Sequence, residues 1–355
     1  MCEIDAACAG VLQRRFPGAI LHGDIRTFDP PKADLVAGGW PCQDVSVAGR
    51  QNGLAGERSG LLAELLRVAS AAGSSTVIAE NVRNLLRMRD GQEFRVALEM
   101  FHAAGFPYVT WRLLNARAFG LPQHRTRLLI IASMDEDVAM SIFRRTPELP
   151  DGCLDECKIS RASGFYWTGG THSINYSRGY VPTVKVGSAL DIPSPPAIHY
   201  GDVVRLLTPG EALRLQGFDD DLAGITTPDL FRMAGNAVAR PIGRWVFRGV
   251  EQRLPVGDNL VALDTQMEMF KSEGTRFGDV GISISGEIEV LSLRHQADLA
   301  VNLVDYIDFE STSRITARAA GGLRARLAKS GQSCPPDLLK LLDVYARDDG
   351  GPGGK

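Results

Sequence analysis

Between residue 4 and about residue 133 the chain alternates amphipathic stretches with short apolar runs. Asp5 to Phe16 reads as a helix, with Leu12 and Phe16 at helical spacing, and so do Gly60–Ala72 and Gln92–Ala104. Ala33–Gly38, Thr76–Ala79, Tyr108–Leu114 and Leu128–Ala132 are short apolar runs that read as buried strands. Strands alternating with helices predict an α/β fold built on a mainly parallel sheet covered on both faces. In such sheets ligands gather at the carboxyl ends of the strands.

After Ser133 the alternation stops. Residues 134–200 mix Gly, Pro, Ser and aromatics, as in Phe165-Tyr166-Trp167 and Ile192-Pro193-Ser194-Pro195-Pro196, and read as a small separate domain or a set of long loops. Helical periodicity returns at 208–217 and 237–252. Beyond Leu254 the composition changes again, with a helical stretch near Ala297–Ile307 and a Gly/Asp-rich end expected to be disordered. There are no internal repeats.

The 355 residues suffice for two domains and a smaller third piece, and the 44% apolar and 23% charged shares are those of an ordinary globular protein. No apolar run reaches the roughly 18 residues of a membrane span, and the first residues lack the basic stretch and apolar core expected of a signal peptide. Cysteines 2, 8, 42, 153, 157 and 334 follow no framework spacing, which points to a reduced, cytoplasmic setting. A net charge of −3 argues against a chain that coats nucleic acid nonspecifically. It leaves room for local phosphate contacts, and Arg83, Arg87, Arg89 and Arg95 form one basic stretch, Arg125 and Arg127 another. Singly, each of these is best read as part of a solvated surface.

Gly38-Gly39-Trp40-Pro41-Cys42-Gln43 follows directly on an expected strand, which puts a cysteine at the ligand edge of the sheet. A thiolate is the common side chain nucleophilic enough to add to C6 of a pyrimidine near neutral pH. A lone Pro-Cys would more often be a buried structural cysteine. The next loop shifts that balance: Ser46 to Arg58 is punctuated by Gly49, Gly53 and Gly56 and carries Arg50 and Arg58, the character of a lid that closes on a polyanion. Glu80-Asn81-Val82 ends the next strand on the same edge, where a carboxylic acid can engage a ring nitrogen. Gln123-His124-Arg125-Thr126-Arg127 opens a further strand, and a fixed guanidinium can hold a base carbonyl or a phosphate. Taken alone, the glutamate is a solvated strand end and the pentapeptide an ordinary basic turn.

Together with Arg205–Phe218 (Arg-x-Leu-Thr-Pro-x-Glu-x-x-Arg-Leu-Gln-Gly-Phe) and Gly235-Asn236-Ala237-Val238, these motifs occur in an order that resembles the C5-cytosine DNA methyltransferase family, over residues 3 to about 250. The resemblance implies a Rossmann-like, S-adenosylmethionine-dependent methyltransferase sheet with a small, irregular target-recognition domain. It implies that the target cytosine is flipped out of double-stranded DNA, that Cys42 attacks C6, that Glu80 engages N3, and that Arg127 takes the O2 side with Arg125 nearby. Gln43, Ser46 and Arg58 map onto the mobile, DNA-contacting catalytic loop. For the cofactor, Glu3 maps to the ribose hydroxyls, Ile4 to the adenine face, and Asp24 with Ile25 to the adenine amino loop. Pro41, Leu61, Asn236 and Val238 map to the methionine end.

The same resemblance divides the chain into a catalytic domain of 1–133 plus 232–254, a target-recognition domain of 134–231 and an extension of 255–355 without an assigned role. It implies a monomer with no membrane association, working in restriction-modification beside a cognate restriction enzyme or with a complementing chain. Family members begin with a strand and a Phe-x-Gly-x-Gly loop against the methionine part of the cofactor, and nothing ahead of Glu3 matches it. Weak cofactor binding and an inactive chain as written are therefore expected. The nearest later match, Ala317–Leu323, lacks the aromatic and the preceding strand and reads as a helix end. Two alternatives stay open. One is a catalytically impaired DNA-binding remnant or split subunit; the other is a thymidylate-synthase-like enzyme, which shares the Pro-Cys nucleophile but not the Glu80, Arg127 and Asn236 motifs.

Overall fold

The computed structural model describes residues 1–40, 60–142, 162–168, 174–185, 194–220, 224–252, 280–291, 302–311, 314–330 and 334–347. Helix α1 (Ala6–Arg15) opens at Asp5, whose carboxylate accepts the Cys8 N–H at 2.9 Å and so satisfies one of the orphan donors of the first turn. There follow β1 (Leu35–Gly39), α2 (Gly60–Ala72), β2 (Thr76–Val82), α3 (Gln92–Ala103), β3 (Tyr108–Asn115), β4 (Gln123–His124), β5 (Thr126–Ser133) and α4 (Glu136–Ala139). Next come strands β6 (Ala162–Phe165), β7 (Ser177–Arg178), β8 (Val181–Pro182), β9 (Ala197–Tyr200) and β10 (Val203–Leu206). Helices α5 (Pro209–Arg214), α6 (Thr227–Asn236) and α7 (Arg240–Gln252), the hairpin β11 (Val280–Ile284) and β12 (Glu287–Leu291), and helices α8 (Ala317–Ser330) and α9 (Pro336–Arg347) complete the described chain.

The chain forms two units. The first comprises Met1–Asn115, Thr126–Glu148 and Ile242–Ala297. Its sheet has the order β1-β2-β5-β3-β11-β12, with β1 and β2 parallel and β5 antiparallel to both β2 and β3. The sheet is thus mixed, where the alternation alone predicts a mainly parallel one. Strands β1, β2 and β3 point the same way because helices return the chain between them. Strand β5 follows β3 after residues 116–125, which contain no crossover helix, so it runs back and inserts between β2 and β3. One face of this sheet is filled by Leu62, Leu65 and Leu66 of α2 and Phe94, Leu98 and Phe101 of α3, around a Trp111 that is fully buried. Each such side chain contributes about 1.5–3 kcal/mol by leaving water. Gly281 of β11 permits the hairpin's approach: a Cβ there would lie 1.9 Å from Trp111 Cζ2.

The second unit comprises Ala116–Arg125, Leu149–Pro241 and Asp298–Lys355. Its four-stranded antiparallel sheet, β10-β9-β6-β7, crosses the stretch that reads as irregular in sequence. The strands are short, and Ala162-Ser163-Gly164-Phe165 has no alternation to betray them. Gly164 is there because a Cβ would meet Val181 Cα at 2.5 Å. The helical stretch expected near Ala297–Ile307 is, among the described residues, a single 3-10 turn over Leu303–Tyr306 capped by Asn302. Ala317–Leu323 lies in the first two turns of α8 and forms no loop. The Gly/Asp-rich end from residue 348 lies outside the described residues. Among the described residues no helix is long and apolar enough to cross a membrane.

Candidate active site

In the first unit the ends of β1 and β2 are in register, so that Gly39 pairs with Glu80. On the other side of β2, Val82 pairs with Arg127 and Glu80 with Leu129. Side chains alternate along a strand, so Glu80 and Arg127 share a face on a diagonal of the ladder. Arg127 Nε lies 2.9 Å from Glu80 Oε1, with the two side chains 13% and 18% exposed. A second nitrogen of Arg127 donates to its neighbour's carbonyl, Thr126 O, at 3.0 Å. The pair is held from several sides yet still reaches the surface. Asn81 points the other way: its Nδ2 donates to Trp40 O at 3.2 Å and its Oδ1 accepts the Val82 N–H at 2.8 Å. That bond fixes the chain just where it leaves β1. Pro41, Cys42, Gln43, Ser46 and Arg58 lie outside the described residues.

Also in the first unit, Cys2 bridges to His22 in parallel, and the Glu3 N–H donates to His22 O at 2.9 Å. Glu3 Oε1 accepts the Asp5 N–H at 2.7 Å, and Ile4 keeps 73% of its surface exposed. Asp24 caps the 3-10 turn Ile25–Thr27, accepts the Arg26 N–H at 3.0 Å and pairs with the Arg26 guanidinium at 2.8 Å. The hydrogen bonds from Arg26 hold the Asp24 carboxyl below its usual range, so it remains an acceptor. Ile25 and Leu61 are half-buried against the sheet core. In the basic stretch beyond Glu80, Arg89 pairs with the buried Glu93 at 3.1 Å, and Arg89, Asp90 and Gly91 all have positive φ.

The remaining motif residues belong to the second unit and tie its segments together. Arg125 is fully buried, and its guanidinium donates to Val184 O at 3.1 Å, Gly235 O at 2.8 Å and Ala237 O at 2.6 Å. Gln123, equally buried, donates to Leu215 O at 2.9 Å and accepts the Val184 N–H at 2.9 Å. Gln216 donates to Ala234 O at 2.6 Å. Gly217, at φ +77°, lies where a Cβ would be 2.7 Å from Pro241 Cδ. Arg205 and Glu211 form a fully buried pair at 2.6 Å, and Glu211 with Thr208 makes the capping box of α5. Asn236, at the end of α6, is exposed and Val238 half-buried. Sequence reading groups Arg125 with Arg127, and the structure separates their surroundings. Arg127 faces a carboxylate near the surface, whereas Arg125 holds backbone in the interior. The signal for Gln123, Gln216 and Gly39 is their fixed place inside motifs, and nothing in a single sequence distinguishes such residues from surface polar ones.

Residues 1–151 match the family model described as C-5 cytosine-specific DNA methylase. The chain is 35% identical over 268 residues to the Type II methyltransferase M2.BsuMI of Bacillus subtilis, covering 71% of this chain and 69% of that one. It is 27% identical over 281 residues to the Type II methyltransferase M.Bsp6I of a Bacillus species, covering 70% and 89%. Among solved structures, the Dnmt2 methyltransferase of S. pombe superposes with a TM-score of 0.50 at 15% identity, over 71% of this chain and 90% of that one, a likeness of fold.

Proposed function

The chain belongs to the C-5 cytosine-specific DNA methylase family, and from that premise we propose that it transfers a methyl group from S-adenosylmethionine to C5 of cytosine in double-stranded DNA at a specific sequence, as the modification partner of a restriction system. The observation that carries the reading is the Glu80–Arg127 pair at 2.9 Å, set on the end of β2 beside which β1 ends at Gly39, three positions before Cys42 in the sequence. A carboxyl and a guanidinium on one face match the N3 and O2 of a cytosine turned out of the duplex.

In this reading the Cys42 thiolate forms a bond to C6, the C5–C6 electron pair moves into the ring, and Glu80 places a proton at N3 while Arg127 holds O2. C5 is then the nucleophilic carbon. S-adenosylmethionine supplies the electrophilic methyl group when bound. Loss of the C5 proton to water afterwards forms the C5–C6 double bond, the C6–S bond breaks with its electron pair leaving on the Cys42 thiolate, and N3 returns its proton to Glu80. Arg58 and Ser46 hold the DNA backbone beside the site, with Gln43 next to the nucleophile.

The cofactor residues fit an adenosine. Glu3 commits Oε1 to the backbone, and among the described residues no partner holds Oε2, which is left for ribose hydroxyls. Ile4 offers an exposed apolar surface beside it, and Asp24 is an acceptor suited to an exocyclic amino group. Ile25, Pro41, Leu61, Asn236 and Val238 complete the assignment. Arg125 is given a positioning role, through the Gly235–Ala237 backbone that leads into Val238. A catalytic part of 1–133 plus 232–254 and a target-recognition part of 134–231 are proposed as functional divisions, while 255–355 is an extension in sequence that is shared between the two compact units.

The reading is tested in the chain carrying a strand and Phe-x-Gly-x-Gly loop joined ahead of Met1, and the first measurement is single-turnover methyl transfer to duplex DNA by Glu80→Gln in that background. The amide keeps the shape but has no proton to give, so the rate should fall by roughly a hundredfold or more while DNA affinity is kept. Full turnover by Glu80→Gln would overturn the role of this carboxyl.

A further inference from the structure

The segment after residue 301 is bonded into the second unit rather than appended to it. Asp308 donates its N–H to Glu211 Oε1 at 2.5 Å and its carbonyl accepts from Arg205, so the chain closes over the buried Arg205–Glu211 pair. Helix α8 then lays Ala320, Leu323 and Leu327 into a core shared with Phe165, Ala197 and Val204 of the four-stranded sheet. With 3.6 residues per turn, that apolar stripe turns Arg318 and Lys329, which are three turns apart, to the opposite side, and both are exposed. Gly322 and Ala325 lie between them on the same side, so no bulky side chain would hold a partner off. Arg314, just before the helix, is exposed and stacks its guanidinium 5.9 Å over the Tyr345 ring.

The charge of this segment is one-sided. Ser311–Ser330 carries Arg314, Arg318, Arg324, Arg326 and Lys329 and no carboxylate, in a chain whose net charge is −3. Arg324 is paired with Asp343 at 2.9 Å, and Arg326 donates to Trp167 O. Among the described residues no carboxylate pairs with Arg314, Arg318 or Lys329. Eleven residues of helix place Arg318 and Lys329 about 16 Å apart along the axis, roughly the rise of five nucleotides in one strand of a duplex.

We propose that the exposed cations Arg318 and Lys329 on the outer face of α8, together with the exposed Arg314 just before the helix, form a phosphate-binding surface for double-stranded DNA that grips the duplex without regard to base sequence. The inference rests on the reading of this chain as a DNA enzyme and gives residues beyond 301 a part in it. Counterion release sets the expected size, with each lost phosphate contact lowering the slope of log affinity against log salt by about 0.9. In the full chain, the triple variant R314Q/R318Q/K329Q should lose about 2.7 from that slope, and its low-salt affinity should fall by roughly tenfold or more, alike on every duplex. Its melting temperature should stay within a few degrees of the parent's, since the three side chains are exposed and only the Arg314 contact with the Tyr345 ring is lost. Restoring charge with R314K/R318K should recover most of the slope. An unchanged slope, or a loss confined to one DNA sequence, overturns the proposal and leaves an acidic protein surface as the occupant. If the parent methylates DNA while the variant's slope is unchanged, only this inference fails; if the parent has no affinity for DNA, the methyltransferase reading fails with it.

Discussion

Gly39 lies directly against Glu80: a Cβ built on Gly39 would stand 3.0 Å from Glu80 Oε2 and 3.5 Å from its carbonyl oxygen. The glycine at the end of β1 therefore leaves the space in which the Glu80 carboxylate meets Arg127. Gly39→Ala should push that carboxylate aside by a few tenths of an ångström. A misplacement of this order should cut turnover by roughly three- to tenfold, with the fold intact. Gly38→Ala is the control, because its Cβ would meet only the tip of Leu65 at 3.0 Å, which can rotate away. Equal turnover in the two variants would contradict the assignment.

Arg125 should separate from Arg127 in kinetics. Arg125→Lys keeps the charge but cannot span three carbonyls, so one or two buried bonds are lost at about 1.5–3 kcal/mol each. Disorder of Gly235–Ala237 should then raise KM for S-adenosylmethionine by about tenfold or more with little change in kcat. Arg127→Lys should instead lower kcat. A fall in kcat with unchanged KM in Arg125→Lys would mean that this arginine touches the base after all.

The second unit should carry a pH-sensitive element. His199 is buried, its Nδ1 lies 2.8 Å from the Tyr176 hydroxyl, and burial pulls its imidazole below its ordinary value of 6.5. The unfolded chain therefore takes up a proton that the folded chain resists. Stability from this group is fully present above pH 6.5 and is lost as pH falls toward the folded value. Urea midpoints below pH 6.5 should drop less steeply in His199→Gln than in the parent. Parallel pH profiles would remove His199 as the cause.

How far the sequence carried depended on what fixed each element. The span Gly60–Ala72 is a helix end to end because Leu62, Leu65, Leu66 and Ala69 supply an uninterrupted helical period. Glu80 could be placed at the carboxyl edge of the sheet, but Arg127 opens its strand and would lie at the other edge of a parallel sheet; their diagonal contact follows only because β5 inserts antiparallel beside β2. Helix α6 and strands β6 to β10 left little trace, since short elements packed through Gly164 and buried polar side chains carry no clear period. Arg125 reads as a surface cation until the three carbonyls around it are known. The outward face of α8 likewise depends on the sheet it packs against.

Cys42 is the residue on which the proposed reaction turns. The measurement is trapping of the protein on duplex DNA carrying 5-fluorocytosine, drawn from a random-sequence library, in the presence of saturating S-adenosylmethionine. Fluorine at C5 cannot leave as a cation, so elimination stalls and the C6–sulfur bond persists. A denaturation-resistant complex should form with the chain that carries the strand and Phe-x-Gly-x-Gly loop ahead of Met1, map by mass spectrometry to Cys42, and vanish in Cys42→Ser while that variant keeps its melting temperature. A complex that survives Cys42→Ser, or one that maps to another residue, would contradict the account.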